Sequence, residues 1–593
     1  PPRLSRIFFD RRDPSQYFFT DPYDFCVQRP EDVIFTNTFS PFTNLSYYKG
    51  GGSRDGEERF KSYFAINANK RLGFGFYIDY LYGRGLYQDQ STAFFNGGLF
   101  SSYRGDKYDM HFIFNNDNLK MAENGGITDD RYITNPLDMA EGKKEYSANE
   151  IPTRLSQIWN HNTSYHAFLT HRYNLGFYKE KQDSVDTDSV KITQVFVPVT
   201  SFIHTLQVDL NNRKYISYDD AQNQKYFEHN YLGTDSIDKT KRTSIKNTIG
   251  IALQEGFNKW AKAGLTAFLS YEYRNFALTD TTNIPGQRII NNYKESSLSI
   301  GGELSKKQGK LLHYNILGEL AIAGEDAGQF SVEGRGDLNL RLFGDTVRLD
   351  VNAFIKNQNP VFYFRHFQSK HYWWDNNDLS KIMRTRLEGK LSLNRWGTQL
   401  RAGVENIKNY TYLANASIPV KDSEGNVTGF KNNAAVRQHS GNIQIFTAML
   451  QQKLKVGIFH LDGEVAYQKS SEQDILPLPE LSAYGNLYMK FGLAKKVLQI
   501  EMGADVRYFS KYYAPDYSPV IGQFYNQNPD DKIEIGAFPI VNVYANLHLK
   551  RTRFFIMMYH VNAGSGKSNY FLAPHYPINP RMIKFGLSWN FFD

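Results

Sequence analysis

The sequence contains one cysteine, Cys26, so the chain cannot form an internal disulfide. It also lacks any apolar run close to the ~18–20 residues that a membrane-spanning helix needs. The longest apolar stretches, such as Phe554 to Tyr559, have the length of a strand. These absences exclude a disulfide-stapled scaffold and a helical membrane protein. A closed β-barrel is then the one structure with which the chain can cross a bilayer.

Motifs for catalysis, metal binding and nucleic-acid binding are missing as well. His366, His371 and Asp375 lie close together, and His560 lies near an outer strand end, but none of them completes a nucleophile elbow or a metal-ligand spacing. We therefore expect no enzymatic activity, no metal, no cofactor and no nucleic-acid partner. The net charge of +8 is interpreted as a solvated surface, with a mild anion preference of a pore as the alternative.

Aromatic residues are abundant in a chain that is otherwise polar. Phe, Trp and Tyr make up 15% of the residues, while the mean hydropathy is −0.53. From about Thr43 onward, apolar and polar residues alternate in stretches separated by breaks, as between Phe330 and Phe343 and between Leu498 and Tyr508. Alternation with a period of two is typical of strands that have one apolar face.

The lengths of these stretches and of their connections predict the architecture. The stretches run for about 10–14 residues, longer than the ~5–6 of soluble strands and close to the ~9–11 of tilted membrane strands. Short connections alternate with long ones at 117–163, 213–243, 356–382, 413–440 and 509–537. We predict an all-β protein, a closed antiparallel transmembrane β-barrel. It has roughly 22 strands, an even number, with short periplasmic turns and long extracellular loops. A soluble sandwich or propeller fits less well, because no blade-length repeat is present.

The first 41 residues do not alternate. They are rich in Pro, Asp and Arg and contain the aromatic groups Phe8-Phe9 and Tyr17-Phe18-Phe19. Residues 1–41 are predicted to be a periplasmic or lumen-plugging segment, and residues 42–593 the transmembrane barrel. Because the chain begins at Pro1 without a signal peptide, we interpret it as a processed chain. We expect it in the bacterial outer membrane, with both termini in the periplasm.

Charged residues on the polar strand faces are the candidates for lining a pore. If the apolar faces meet lipid, the polar faces meet the lumen, where opposed arginines and carboxylates create a transverse field. The alternative is that these charges pair with one another and keep the lumen hydrated. The pore-lining candidates are Glu333, Arg335, Asp337, Arg341, Arg348, Asp350, Arg384, Arg386 and Glu388.

Two further groups of aromatic residues suggest specific roles. In the long loop 356–382, a ligand-binding role and a constriction formed by folding into the lumen are equally favoured. The candidates for either role are His371, Trp373 and Trp374. In the last predicted strand, the candidate signal for the barrel-insertion machinery is Phe585, Trp589, Phe591 and Phe592.

Short motifs cluster towards the C-terminus. They include Gly522-Gln523-Phe524-Tyr525, Phe538-Pro539-Ile540-Val541, Lys550-Arg551-Thr552-Arg553-Phe554-Phe555 and the terminal run 584–593, and upstream His371-Tyr372-Trp373-Trp374-Asp375-Asn376. Together they resemble the putative porin family of Bacteroidota, and the resemblance spans most of the chain. It implies an outer-membrane barrel, and it brings neither catalytic residues nor a particular solute.

Three functional hypotheses follow. The leading one is a porin-like channel for passive diffusion of small hydrophilic solutes, in which lumen width sets the size limit and lumen charges bias selectivity. The second is a plugged structural or accessory barrel in a larger outer-membrane assembly, since the long loops can cap the lumen. The third, a rim enzyme near His371, has the least support. The expected partners are outer-membrane lipid and lipopolysaccharide, the insertion machinery during biogenesis and other outer-membrane proteins.

Overall fold

The computed structural model describes residues 2–592 except 53–54, 187–188, 219–220, 259–260, 282–287, 343 and 567. Its main element is a sheet of 22 antiparallel strands that closes on itself, because the first strand pairs with the last from Thr43↔Phe591 to Gly50↔Lys584. The prediction of a closed barrel of roughly 22 strands is therefore confirmed. The strands, β1 to β22 in chain order, are Phe42–Gly50, Glu57–Asn67, Leu72–Gly83, Ser91–Arg104, Tyr108–Ala122, Ile158–Asp186, Ser189–Ser217, Ile237–Leu253, Gly264–Thr281, Arg288–Lys306, Leu312–Gly324, Phe330–Leu342, Asp345–Gln358, Ile382–Leu393, Thr398–Asn415, Ala434–Val456, Phe459–Ser470, Leu481–Leu493, Leu498–Phe509, Ile540–Leu549, Thr552–Tyr559 and Met582–Phe591.

The remaining elements are short and do not belong to the barrel wall. The helical turns are Phe8–Asp10, Phe18–Tyr23, Pro30–Asp32, Arg131–Thr134, Pro136–Asp138, Ala148–Glu150, Ala221–Tyr226, Phe362–Arg365 and Asn394–Trp396. Four two-stranded pairs are His366–Gln368 with Trp373–Asp375, Ile418–Lys421 with Val427–Lys431, Asp516–Ser518 with Gln523–Tyr525, and Phe571–Ala573 with Tyr576–Pro577. Within the described ranges, no helix is long and apolar enough to span a membrane.

Along strands such as β3 and β22, exposed apolar side chains alternate with less exposed residues, which gives the barrel an apolar outer face and a more polar inner face. In β3, Phe74, Phe76 and Tyr80 are exposed, whereas the intervening Gly75 and Tyr77 are buried. In β22 the exposed residues are Ile583, Phe585, Leu587 and Trp589. Large apolar side chains that remain exposed in a regular register form the surface that lipid covers in a membrane barrel.

The two ends of the barrel differ in the length of their connections. At the end that carries both barrel termini, here called the turn end, short turns such as 105–107, 457–458 and 550–551 join the strands. The turn 394–397 closes on Gly397, whose φ of 62° lies in the left-handed region that favours glycine. At the opposite end, here called the loop end, the long connections are 123–157, 218–236, 359–381, 416–433, 510–539 and 560–581. The first five were predicted, and 560–581 was not.

The strands β6 and β7 are longer than the rest. Each has 29 residues. Their pairing with β5 and β8 stops at Tyr173 and Thr200, respectively. Beyond these points the pairing of β6 and β7 with each other continues to Asp186↔Ser189. A two-stranded ribbon therefore extends past the neighbouring strands at the turn end.

Candidate functional site

The first residues of the chain lie inside the barrel. The backbone N–H of Phe8 donates to Gln468 Oε1 on β17 over 2.9 Å, and the hydroxyl of Tyr17 donates to Asn162 Oδ1 on β6 over 3.1 Å. Since β6 and β17 are eleven strands apart in a ring of 22, they face each other across the lumen. Residues 2–35, here called the N-terminal segment, therefore bridge opposite walls.

Two of the predicted pore-lining residues contact this segment, and a third pairs with one of them. Arg384 forms ion pairs with Asp13 of the segment and with Glu405 on β15. The guanidinium of Arg386 lies 5.2 Å from the ring centre of Phe9 and pairs with Glu388 at 2.7 Å. Arg384, Arg386 and Glu388 thus face the lumen and form part of the surface on which the N-terminal segment rests.

Most of the other pore-lining candidates pair with neighbours on the barrel wall. Asp337 accepts from His313 at 2.9 Å, and Arg348 pairs with Asp350 at 2.8 Å. Glu333 pairs with Lys356 at 2.6 Å. Arg335 is the most open of the set, because its side chain is 75% exposed and lies 3.9 Å from Glu333. Arg341 is exposed as well.

A large aromatic cluster fills the lumen near the loop end. Its 20 buried residues come from the N-terminal segment, from the barrel wall and from loops that fold inward. Phe18 stacks on Tyr363 with ring centres 5.1 Å apart, and Phe276 of β9 stacks on Phe362 at 3.9 Å. The aromatic residues of the loop 359–381 in this cluster are Phe362, Tyr363, Phe364, Phe367, Tyr372 and Trp374. The N-terminal segment and the loops therefore pack as one unit.

The three loop candidates occupy different environments. Trp374 is buried in the cluster and donates its indole N–H to the Tyr363 carbonyl over 3.0 Å, whereas Trp373 is 49% exposed. His371 is buried, stacks on Phe227 with ring centres 3.8 Å apart, and is bonded through Nδ1 to the His229 carbonyl. Two of these side chains thus hold the inward-folded loop in place, and Trp373 points away from it.

Arg213 was not singled out by sequence, yet it joins the parts of this assembly. The residue lies on β7 and is 1% exposed. Its guanidinium donates to Asn160 Oδ1 and to the Val520 carbonyl over 2.6 Å each, and lies 4.6 Å from the ring centre of Phe19. A buried cation needs several acceptors, and here they come from the wall and from a loop, while the N-terminal segment provides the aromatic face.

Two carboxyl groups outside the barrel strands, one buried and one partly buried, belong to the same assembly. Glu123, directly after β5, accepts from Asn160 and from Tyr517, and burial raises its pKa to about 7. Asp21 in the N-terminal segment accepts from Ser15, and burial raises its pKa to about 6. Burial penalises the charged form of a carboxyl group, so both groups favour protonation at mildly acidic pH.

The cavities beside the filled region include a larger and a smaller one. The larger, here called the lumen cavity, has a volume of about 1110 Å³ and lies between the N-terminal segment and the inner wall, with lining residues that include Tyr410, Tyr484, Arg507, Tyr559 and Lys584. The smaller is a pocket of about 660 Å³ among the loops, lined mainly by polar residues such as Arg154, Asn432 and Asp516. Among the described residues, no group of His, Cys, Asp or Glu side chains is arranged to hold a metal ion.

The terminal aromatic residues lie on the outer surface of β22 and just beyond it. Phe585 and Trp589 are about half exposed, at 50% and 45%. Phe591 lies against Trp589 with ring centres 4.0 Å apart, and the Arg551 guanidinium lies 4.2 Å from the ring centre of Phe592. Phe585 and Trp589 are therefore accessible from the membrane side of the barrel.

The fold is similar to that of known siderophore receptors. A mutant of the ferric enterobactin receptor from Pseudomonas aeruginosa has a TM-score of 0.61 at 11% identity, with 93% of this chain and 80% of the receptor covered. The siderophore receptor PirA from Acinetobacter baumannii has a TM-score of 0.61 at 10% identity, with 94% and 81% covered. The copper transporter OprC has a TM-score of 0.57 at 10% identity, with 93% of this chain and 80% of the transporter covered. At such low identity, these structures show the shared barrel fold.

No curated protein sequence matches the chain. The family comparison, in contrast, covers the whole chain: residues 1–593 match the family described as putative porin. The closed barrel, its apolar outer face and this match agree with the motifs near the C-terminus. The chain is an outer-membrane β-barrel protein that belongs to the putative porin family.

Proposed function

We propose that this protein is an outer-membrane channel through which small hydrophilic solutes diffuse passively past the N-terminal segment. In this proposal both termini and the turn end face the periplasm. Lipid and lipopolysaccharide contact the outer face, and the insertion machinery reads the terminal aromatic residues. The lumen acts as a filter and carries out no chemistry.

The lumen cavity is the observation that carries the proposal. The N-terminal segment and the inward-folded loops narrow the lumen, but they leave a volume of about 1110 Å³ beside one wall. Ionised side chains such as Arg507 and Lys584 line this volume, which favours a hydrated path over an apolar one. Solute passage is then limited by the width beside the segment rather than by the diameter of the whole barrel.

Single-channel recording in a planar bilayer tests this function. We expect steady ohmic steps from the full chain, with a conductance below that of an unobstructed barrel of the same strand number. Arg335→Ala is expected to shift the ion selectivity towards cations, because the side chain is 75% exposed on the inner face. The control is Arg551→Ala, which alters a cation outside the lumen at the β20–β21 turn. Silence from protein that shows the heat-modifiable mobility of a folded barrel would refute the channel.

The aromatic cluster favours a second candidate, a plugged accessory barrel. Its 20 buried residues pack the N-terminal segment against the loops in one continuous hydrophobic cluster. An accessory barrel needs a stable partner, so native mass spectrometry of the gently extracted protein is the matching experiment. A stoichiometric complex together with an absence of conductance supports this candidate, and a conducting monomer contradicts it.

A further inference from the structure

One sector of the inner wall is rich in tyrosine. Tyr484 and Tyr488 on β18, Tyr544 on β20 and Tyr559 on β21 alternate with outward, exposed residues such as Leu487, Val543 and Met558. The tyrosines therefore point into the lumen, yet all four remain partly exposed. Tyr484 and Tyr559 line the lumen cavity. The four residues are here called the tyrosine wall.

Glycine residues make room for aromatic rings in this sector. Gly503 pairs with Tyr488 on one side and with Tyr544 on the other, and a Cβ at Gly503 would lie 2.5 Å from the Cβ of Tyr488. Gly586 likewise lies between Tyr48 and Phe555, and a Cβ there would lie 2.7 Å from the Phe555 ring. Aromatic residues that cover a glycine in a neighbouring strand also stabilise a sheet. Three of the rings have one face covered, Tyr488 by the His460 ring at 4.9 Å, Tyr484 by the Arg507 guanidinium at 5.5 Å and Tyr559 by the Lys584 ammonium at 4.9 Å. The remaining surface of these partly exposed tyrosines faces the lumen.

Two ion pairs lie in the same sector. Arg507 lies 4.0 Å from Asp505, and Lys490 lies 3.6 Å from Glu501. The two cations stay accessible, with side chains 70% and 52% exposed. Such pairs offer donors and acceptors side by side while adding no net charge. They therefore suit a ligand that both donates and accepts hydrogen bonds and carries no charge of its own.

Amide groups complete the polar part of the wall. Asn542 donates to Asp505 over 2.9 Å, Asn546 donates to Glu501 over 3.2 Å, and the Tyr544 hydroxyl donates to Asn486 over 3.0 Å. These bonds fix the orientation of the carboxylates and of one ring before any ligand arrives. Preorganised polar groups beside flat aromatic surface are a common feature of small-molecule sites.

We propose that the tyrosine wall binds neutral oligosaccharides, so that sugars are the preferred solutes of the lumen cavity. A sugar ring presents a flat C–H face that packs on a tyrosine ring, and its hydroxyl groups both donate and accept hydrogen bonds at the paired charges and amides. The volume of about 1110 Å³ slightly exceeds the ~300–1000 Å³ of typical small-molecule sites, as expected for a chain of sugar rings. This inference deepens the proposed channel function and rests on it only for the transport step.

The test combines two measurements on the full chain. Maltohexaose and laminarihexaose serve as α- and β-linked neutral probes. Their binding to detergent-solubilised protein is measured by calorimetry, and their effect on ion current is measured in a planar bilayer. We expect binding and current block by at least one probe. Each ring removed from the lumen cavity, as in Tyr484→Ala or Tyr559→Ala, is expected to weaken binding about two- to tenfold. Tyr467→Ala is the matched control, because this ring is 44% exposed on the outer face of the neighbouring strand β17.

The two measurements separate the possible failures. Current without block, together with no heat of binding, would overturn the sugar inference and leave the channel standing. Binding by a silent barrel would overturn the channel and leave the sugar site standing. An equal loss of affinity in Tyr467→Ala would overturn the assignment to the tyrosine wall. Tighter binding of a hexagalacturonate than of the neutral probes would overturn the assignment to neutral sugars. Heat-modifiable mobility shows whether each variant is folded.

Discussion

Replacing Arg213 by methionine is expected to loosen the N-terminal segment without opening the barrel wall. The side chain points inward from β7, so its loss leaves the lipid-facing surface unchanged. The Asn160 and Val520 oxygens lose their donor, at a cost of about 1–3 kcal/mol each, and the contacts with Phe19 and Tyr215 contribute about 0.5–2 kcal/mol more. Relief of the buried charge offsets several kcal/mol of this loss. The free energy of local opening is therefore expected to fall by roughly 2–4 kcal/mol.

Hydrogen exchange followed by mass spectrometry measures this opening directly. A fall of this size accelerates amide exchange by roughly 30- to 700-fold in peptides that cover residues 17–23 and 519–525. Exchange in strands β11 and β12, which contribute no residue to the aromatic cluster, should stay unchanged. Arg335→Met is the control, because it removes an inward arginine that is largely exposed. Unchanged exchange at both peptides in Arg213→Met would refute the view that this cation joins the segment to the loop.

Three further predictions concern the same assembly and the turns. Burial raises the pKa of Glu123 from 4.5 to about 7, so its contribution to stability is present below pH 4.5 and is lost as the pH rises through 7. The midpoint of thermal unfolding should therefore decrease as the pH is raised from 5 to 8. In Glu123→Gln, the pH-dependent loss of the free energy of unfolding should be smaller by on the order of 3 kcal/mol. Arg401→Ala should destabilise the packing of the N-terminal segment by about 1–3 kcal/mol, because the guanidinium lies 4.0 Å from the Phe9 ring centre and pairs with buried Glu388. Faster amide hydrogen exchange at residues 8–11 is the measurement. Gly397→Ala should lower the free energy of unfolding in urea by about 1–2 kcal/mol, because φ is positive and a Cβ would lie 2.5 Å from the Lys453 carbonyl oxygen. Gly334→Ala is the control, because a Cβ there meets open space and should leave the stability unchanged.

The barrel was predictable because its environment imposes a simple rule on every strand. Residues such as Val332 and Phe585 face lipid, and their neighbours Glu333 and Lys584 face the lumen, so the sequence must alternate wherever the wall crosses the membrane. Long connections were predictable wherever alternation stopped for many residues. The connection 560–581 escaped notice because short apolar groups such as Phe571-Leu572-Ala573 interrupt it.

The packing inside the lumen was not predictable from the same pattern. Tyr17-Phe18-Phe19 and Phe362-Tyr363-Phe364 meet only because the barrel brings them together, although they are more than 300 residues apart in the chain. Arg213 has the sequence context of any lumen arginine, and the loop carbonyl that it binds lies 307 residues away. Such contacts depend on how the closed sheet curves, which local alternation does not encode. The sequence therefore left a periplasmic tail and a lumen segment as equal alternatives.

The pairing of β1 with β22 also determines the order of events during assembly. Thr43 and Phe591 are neighbours in the sheet but lie more than 500 residues apart in the chain. The cylinder therefore cannot close until the last strand has arrived, and such a distant contact forms slowly. Until then β1 offers an unpaired edge that needs shielding from other chains. The N-terminal segment is attached to this edge and spans the interior. The closing cylinder must therefore either enclose the segment or admit it afterwards from the turn end, which makes closure of the barrel and packing of the N-terminal segment linked steps of one maturation pathway.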